Sequence, residues 1–257
     1  MAYLVSNAGN GTQLYIMCEG KIYANPDSSV FFAGIPITGI IGLEYFDTSK
    51  AEDMSGMFMG CIFLDSLNLN TFNTSNVTNM AAMFAGCENL EYLAQEFNTS
   101  KVTNMSEMFN KTSLTSLDLR SFNTSKVTDM SQMFQNNTFL KTLLVDGFDT
   151  SNLENMNGMF ENCITLNSLN LSSFDTSKVK YAQRAFYGCH NLIHVVASNK
   201  WDMSNVVDAT DMFKECFGIE GSNGTRYDAN IIDGDYSRID VPSIPGYLWD
   251  VNEPIIL

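Results

Sequence analysis

Positive charge, histidine and long apolar runs are all scarce in this chain. Only 14 Lys and Arg stand against 29 Asp and Glu, a formal charge of -15 over 257 residues, which repels phosphate backbones and anionic lipid and excludes nucleic acid and membrane surfaces as expected partners. No stretch approaches the ~20 apolar residues of a membrane-spanning helix. The opening Met1-Ala2-Tyr3-Leu4-Val5-Ser6 has neither a basic leader nor a long apolar run, so no secretion signal is expected. His190 and His194 are the two histidines, the side-chain type whose ordinary titration lies near neutrality. Phosphate-cradling glycines and a nucleophile elbow are missing as well. No enzymatic activity and no cofactor is expected, and the acidity reads as a solvated exterior.

What the chain does have is one phrase, written seven times at intervals of 25 to 27 residues. It opens at Phe46-Asp47-Thr48-Ser49, Phe72-Asn73-Thr74-Ser75, Phe97-Asn98-Thr99-Ser100, Phe122-Asn123-Thr124-Ser125, Phe148-Asp149-Thr150-Ser151 and Phe174-Asp175-Thr176-Ser177, with a worn copy at Trp201-Asp202-Met203-Ser204. Self-similarity at this period marks a solenoid, whose units bury their apolar sides only by stacking on one another. The apolar content of 45% fits such a packed body and excludes disorder.

Aligned, the copies read Phe-Asn/Asp-Thr-Ser-x-Val-x-x-Met-x-x-Met-Phe-x-x-Cys-x-x-Leu-x-x-Leu-x-Leu. The endings Leu64-Leu67-Leu69, Leu114-Leu117-Leu119 and Leu166-Leu169-Leu171 finish in strict alternation, which predicts a short parallel strand with its leucines inward. Val102, Met105, Met108 and Phe109 are spaced by three and then one, which favours a helical or 3-10 turn. A second short strand at Val-x-x-Met, followed by a helical turn at Met-Phe-x-x-Cys, is the alternative. The Asn/Asp-Thr-Ser corner should satisfy turn amides with its side chains and cap whatever helix follows.

Cys61, Cys87, Cys163, Cys189 and Cys216 share one position in the phrase, filled by Thr112 and Asn137 in the middle coils. Side chains at one position on stacked coils point the same way and are poorly aimed for a bridge. These are expected to be buried free thiols packing as small apolar groups, with Cys18 also free. The paired methionines recur at fixed places and belong to the core. Cys189-His190 and His194 invite a zinc reading, but Cys189 occupies the core position and His194 the strand, so no metal is expected. Asp233-Gly234-Asp235 lacks the spacing of a calcium loop and reads as a plain turn.

Both ends look like seals. Residues 1–29 form an N-terminal cap with a hairpin over residues 13–23 turning near Glu19-Gly20, residues 30–219 the array of one degenerate and seven full copies, and residues 220–257 an irregular C-terminal cap. In that cap Tyr247, Leu248 and Trp249 are expected to cover the last coil.

The phrase, with its lead-in Asn25-Pro26-Asp27-Ser28-Ser29 before Phe31-Phe32, resembles the bacterial surface-protein repeat grouped with BspA-like leucine-rich repeats. The resemblance covers about residues 25–219. It implies an α/β repeat solenoid: a right-handed, leucine-rich-repeat-like array of short parallel strands and short helical turns. It also implies an extracellular or cell-surface protein that adheres to a protein or glycan on a host or bacterial surface. The lipobox cysteine and sorting motif of such proteins have no counterpart here. The alternative is a structural or decoration component of a phage particle or injection machine, assembled in the cytoplasm and contacting other subunits through its caps.

Binding residues should sit where the coil tolerates variation, on the outward side of the strands. Those positions are Asp65 and Asn68, Glu91 and Tyr92, Thr115 and Asp118, Lys141 and Leu144, Asn167 and Asn170, and Ile193, His194 and Val196. A parallel ladder holds such side chains at ~4.8 Å intervals without ordering cost on binding.

Overall fold

In a computed structural model of the chain, residues 2–7 and 12–252 are described. The repeats superimpose as a stack of coils, and each of the six before the worn copy contributes one short parallel strand. These strands are β6 (Ser66–Asn68), β7 (Tyr92–Ala94), β8 (Ser116–Asp118), β9 (Thr142–Leu144), β10 (Ser168–Asn170) and β11 (His194–Ala197). The leucines of the alternating run point inward: Leu67, Leu117, Leu143 and Leu169 are buried, and Leu93 is half-buried.

The helical turns expected in each coil do not form. Met80, Met83, Phe84 and Cys87 carry the spacing of a helix face and are all buried, yet the segment is a string of reverse turns whose amides divide between two partners. The N–H groups of Met80, Ala82, Phe84 and Gly86 donate to the carbonyls of Asn104, Ser106, Met108 and Asn110 in the next coil, at 2.7 to 3.0 Å. Those of Met83, Ala85 and Cys87 donate three residues back, to Met80, Ala82 and Phe84. Asn79 Oδ1 takes the remaining Ala81 N–H at 3.1 Å. Every amide from 80 to 87 is thus satisfied without a helical bond, and stacking supplies half of them.

Two columns of left-handed residues make these turns possible. One runs Val30, Gly56, Ala82, Glu107, Gln132, Gly158, Arg184, Asp211, and the other Gly34, Gly60, Gly86, Lys111, Asn136, Asn162, Gly188, Glu215. Each stands third in a turn that needs a positive φ there. The second column is rich in Gly and Asn, which tolerate that conformation, whereas the first shows no such bias. Of the alternative strand at Val-x-x-Met, a single parallel bridge per coil is present, running Asp27, Asp53, Asn79, Asn104, Asp129, Asn155, Tyr181, Asp208. The only 3-10 turns among the described residues, Leu43–Tyr45 and Gly234–Tyr236, lie elsewhere.

The corner satisfies turn amides as expected, caps no helix because none follows it, and also binds between coils. Asp47, Asn73, Asn98, Asn123, Asp149, Asp175 and Asp202 each accept the N–H of the Ser two residues on through Oδ1. The buried threonines bind between coils: Thr74 Oγ1 donates to Asn98 O at 3.1 Å and accepts Asn98 N–H at 2.8 Å, and Thr48, Thr99, Thr150 and Thr176 repeat the pair.

Inside, Phe32, Phe58, Phe84, Phe109, Phe134, Phe160, Phe186 and Phe213 form one stack, with centroids 5.2 to 6.0 Å apart and planes within 15° of parallel. The five cysteines of the repeat lie beside it, free and fully buried, while Cys18, also free, is half-buried. Their thiols also hydrogen-bond, as Cys87 Sγ does to Phe58 O at 3.1 Å and Cys163 Sγ to Phe134 O at 3.1 Å.

At the N-terminal end, β1 (Ala2–Asn7) pairs antiparallel with β2 (Thr12–Met17), which pairs in parallel with β4 (Gly39–Ile41). The hairpin expected over residues 13–23 is therefore misplaced. Both edges of β2 are taken, so β3 (Ile22–Tyr23) cannot fold back on it and pairs in parallel with β5 (Phe46–Asp47). A bend at Gly20, φ 110°, sends the chain down the stack. At the other end, β12 (Leu248–Asp250) joins β11 in parallel, and Tyr247 closes the phenylalanine stack edge-on against Phe213 at 5.3 Å. Asp240, buried in this cap, accepts the N–H groups of Asn223, Thr225 and Gly246 and the Thr225 hydroxyl.

Candidate functional site

The strand face gathers the variable positions into one strip. Pairing is in register, so Tyr92 lies beside Ser66 and Ala94 beside Asn68, Leu144 beside Asp118, His194 beside Ser168, and Val196 beside Asn170. Asp65, Asn68, Glu91, Tyr92, Thr115, Asp118, Lys141, Asn167, Asn170 and Ile193 are exposed on it, whereas Leu144, His194 and Val196 are half-buried. His194 is covered because Trp249 of the C-terminal cap packs edge-on against its ring at 4.7 Å. The cap thus closes the C-terminal end of the strip.

The strip is divided. β6 pairs with β7, β8 with β9, β10 with β11 and β11 with β12, without a ladder between β7 and β8 or between β9 and β10. Two one-residue shortfalls flank the first break: Phe97 follows Leu93 by four positions where Phe122 follows Leu117 by five, and Leu114 follows Thr112 by two where Leu90 follows Cys87 by three. Both shift the chain where β7 and β8 would meet. At the second break the phrase keeps its full length, and no physical reason for it is visible.

Three residues of this face, Arg120, Gln13 and Thr38, were not expected from the sequence. Arg120 clamps Asp118 with Nε to Oδ1 at 3.0 Å and Nη2 to Oδ2 at 2.7 Å. These bonds hold the Asp118 carboxyl below its ordinary range and the Arg120 guanidinium above its own. The signal was present, since residues two apart on a strand share a face. Gln13 and Thr38 also reach the strip, because β2 and β4 of the cap continue its row: Asp65 N–H donates to Thr38 O at 3.2 Å. No local pattern shows that continuation.

Burial disfavours the nucleophilic thiolate at the five cysteines of the repeat. Burial pushes Cys87 and Cys189 up to about 12 and raises Cys61, Cys163 and Cys216 as well. Cys189, in the core, is not brought together with His190, whose Nε2 sits on the surface 3.5 Å from Glu215 Oε2. Among the described residues no group of three or more His, Cys, Asp or Glu is placed to hold a metal ion. Asp233 accepts the Asp211 N–H at 2.7 Å, which ties the turn before Gly234 to the last coil.

A family model described as "Mycoplasma protein of unknown function, DUF285" matches residues 28–118 and 111–224. The chain belongs to this family. The BspA-like phrase read in the sequence is the DUF285 repeat, and both matches fall on the stacked coils. The curated proteins contain no match. A leucine-rich repeat protein from Bacteroides ovatus, known from its crystal structure, is similar over 75% of this chain at 15% identity with a TM-score of 0.33, and this chain spans 56% of its length.

Proposed function

We propose that this DUF285 chain is a non-enzymatic, adhesin-like recognition module, acting outside the cell or at its surface, that binds a protein or glycan on another surface. The observation that carries this reading is the contrast between the two sides of each strand. Inward strand positions repeat Leu67, Leu93, Leu117, Leu143, Leu169 and Val195, buried in every copy except the half-buried Leu93. Outward positions on the same rigid coils differ from copy to copy, from Asp65 and Glu91 to Thr115, Lys141, Asn167 and Ile193. A scaffold that fixes the backbone and varies the exposed side chain pre-organises a contact surface at low entropic cost.

The test is retention of bacterial cells and host extracellular-matrix proteins on the immobilised chain. A Glu91→Lys, Thr115→Glu, Asn167→Lys variant is expected to lose retention while melting like wild type. A Lys101→Glu, Lys178→Glu variant, altered on a different corner, is expected to keep it. Equal retention by both variants, or none by wild type, refutes the reading.

A further inference from the structure

One recess in the strand face has a chemistry of its own. Gly39 and Ser66, one without a side chain and one with a small one, lie between Gln13 and Tyr92, and Thr38, Asn68 and the exposed Ile41 also line it. The Tyr92 ring forms one wall and is 62% exposed, the most exposed aromatic side chain among the described residues. The opposite wall is the Gln13 amide, laid over Gly39 and donating through Nε2 to Thr38 Oγ1 at 3.1 Å. A Cβ on residue 39 would stand 2.7 Å from Gln13 Oε1, so this arrangement needs the glycine. Gln13 pairs with Gly39 across β2 and β4, and Ser66 with Tyr92 across β6 and β7; no ladder joins β4 to β6, which are linked by the Asp65 N–H to Thr38 O, and the break beyond β7 leaves no laddered strand behind the ring.

The side chains lining this recess are uncharged at neutral pH. The recess at Gln95 contains the Asp118–Arg120 ion pair, and the one near Met203 contains Asp208, Asp233 and Asp235. No cation lines the recess to hold an anion, and the nearest carboxylate, Asp65, is engaged by the Ser66 hydroxyl at 2.7 Å, which leaves Ser66 Oγ as an acceptor. An extended peptide bound through its backbone needs a free strand edge, whereas the recess presents the outward faces of the β2–β4 and β6–β7 pairs, whose facing edges are closed on each other by the Asp65 N–H to Thr38 O bond. What remains is a neutral, hydroxyl-rich molecule with one apolar face. Gln13 Oε1 can accept, Asn68 can donate through its amide, and the Tyr92 phenol can do both, while the ring offers a flat apolar platform.

We propose that the recess between Gln13 and Tyr92 is a carbohydrate subsite, in which one or two neutral pyranose rings lie with their C–H face on Tyr92 and their hydroxyls on Gln13, Ser66 and Asn68. This rests on the recognition reading above and names the ligand class at one end of its strip. The ring wall, the small residues beside it and the paired amides suit a sugar edge-on to the sheet. Affinity from so shallow a site is in the millimolar range, and repetition of ligands on a surface multiplies it.

The test is saturation-transfer difference NMR on the whole chain at millimolar probe. The probes are the methyl glycosides of glucose, galactose, mannose and N-acetylglucosamine, together with cellobiose, lactose and diacetylchitobiose. Transfer to the ring protons of one sugar face is expected for at least one probe. Tyr92→Ala should weaken it about tenfold, Tyr92→Phe should retain it, and Ser66→Leu, which fills the recess and leaves the ring in place, should abolish it. Tyr181→Ala, which alters an exposed ring outside the recess, should change nothing. No transfer from any probe, or transfer indifferent to both Tyr92→Ala and Ser66→Leu, overturns the subsite. Cell or matrix-protein retention surviving such a result leaves the broader recognition reading standing, whereas sugar transfer without such retention leaves the subsite and sinks the adhesin-like role.

Discussion

Replacing Asn137 by cysteine puts into the middle of the stack the residue that five other coils carry, and it should destabilise the protein. In those coils the N–H at this position donates three residues back, as Cys87 N–H does to Phe84 O at 3.1 Å. Thr112 makes no such bond. Its N–H and hydroxyl instead donate to Asn137 Oδ1 of the next coil at 3.1 and 2.6 Å, while Asn137 Nδ2 donates to Phe109 O and Phe134 O at 2.8 and 2.9 Å. All of this is buried. A thiol at 137 restores a bond to Phe109 O but offers Thr112 no comparable acceptor. An orphaned buried donor costs about 1–3 kcal/mol, and the hydroxyl can rotate to recover part of its share, so the expected loss is about 2–4 kcal/mol. With an m value near 3 kcal/mol/M for urea, the midpoint should fall by about 1 M. Circular dichroism and fluorescence of Trp201 and Trp249, both near the C-terminal end, give two probes whose coincidence checks that the stack melts as one. Adding Thr112→Val to Asn137→Cys should recover about 1 kcal/mol, because one orphaned donor disappears. Stability of Asn137→Cys within about 0.5 kcal/mol of wild type would refute the account of how the shortened coil is repaired.

Ala82, held at φ 53°, reverses the usual order of substitution: Ala82→Gly should raise stability by about 0.5 kcal/mol, the relief of a left-handed residue less the entropy glycine adds to the unfolded chain. Gly86→Ala, at φ 70°, should lower it by about 1–2 kcal/mol in the same urea titration. Leu117→Asp places a charge in the stack, where the leucine is buried, and should abolish the cooperative melt. Asp118→Lys breaks an exposed pair with Arg120 and should cost no more than about 1 kcal/mol; a larger loss would show that this position carries more than a surface contact. Hydrogen bonds from the Ser or Thr two residues on hold Asp27, Asp47, Asp149, Asp175, Asp202 and Asp208 below the ordinary carboxylate range, Asp47 at about 2. Groups with folded values lowered in this way contribute stability above their unfolded pKa near ~3.9 and lose it as pH falls through the folded value. Melting temperature should therefore hold down to about pH 4 and drop toward pH 2, and a combined Asp47→Asn, Asp149→Asn, Asp175→Asn variant should flatten that limb.

The helix expected at Met80, Met83, Phe84 and Cys87 shows where local reading stops. A helix and a run of stacked turns bury the same positions, and they differ in where the amides go. Met80 N–H finds its partner at Asn104, in the next coil, and no window of a few residues contains that information. The Gly and Asn residues before the cysteine position, at Gly60, Gly86, Asn136, Asn162 and Gly188, were the one local signal against a helix. Lys111 and Glu215 share the conformation without sharing the signal, because inter-coil hydrogen bonds can hold a residue that would not choose it.

The period and the repeated apolar identities determined, without any coordinates, that the chain stacks in register, that the leucine, methionine, phenylalanine and cysteine positions turn inward, and that variable side chains share the strand face. Repetition makes this legible, since a position that must fit its own copy above and below admits few residue types. Only the tertiary structure decided that each coil is built of turns, that Trp249 covers His194, and that Gln13 of β2 and Tyr92 of β7 line one recess. Those contacts join residues one or more coils apart, and their geometry follows from the stacking itself.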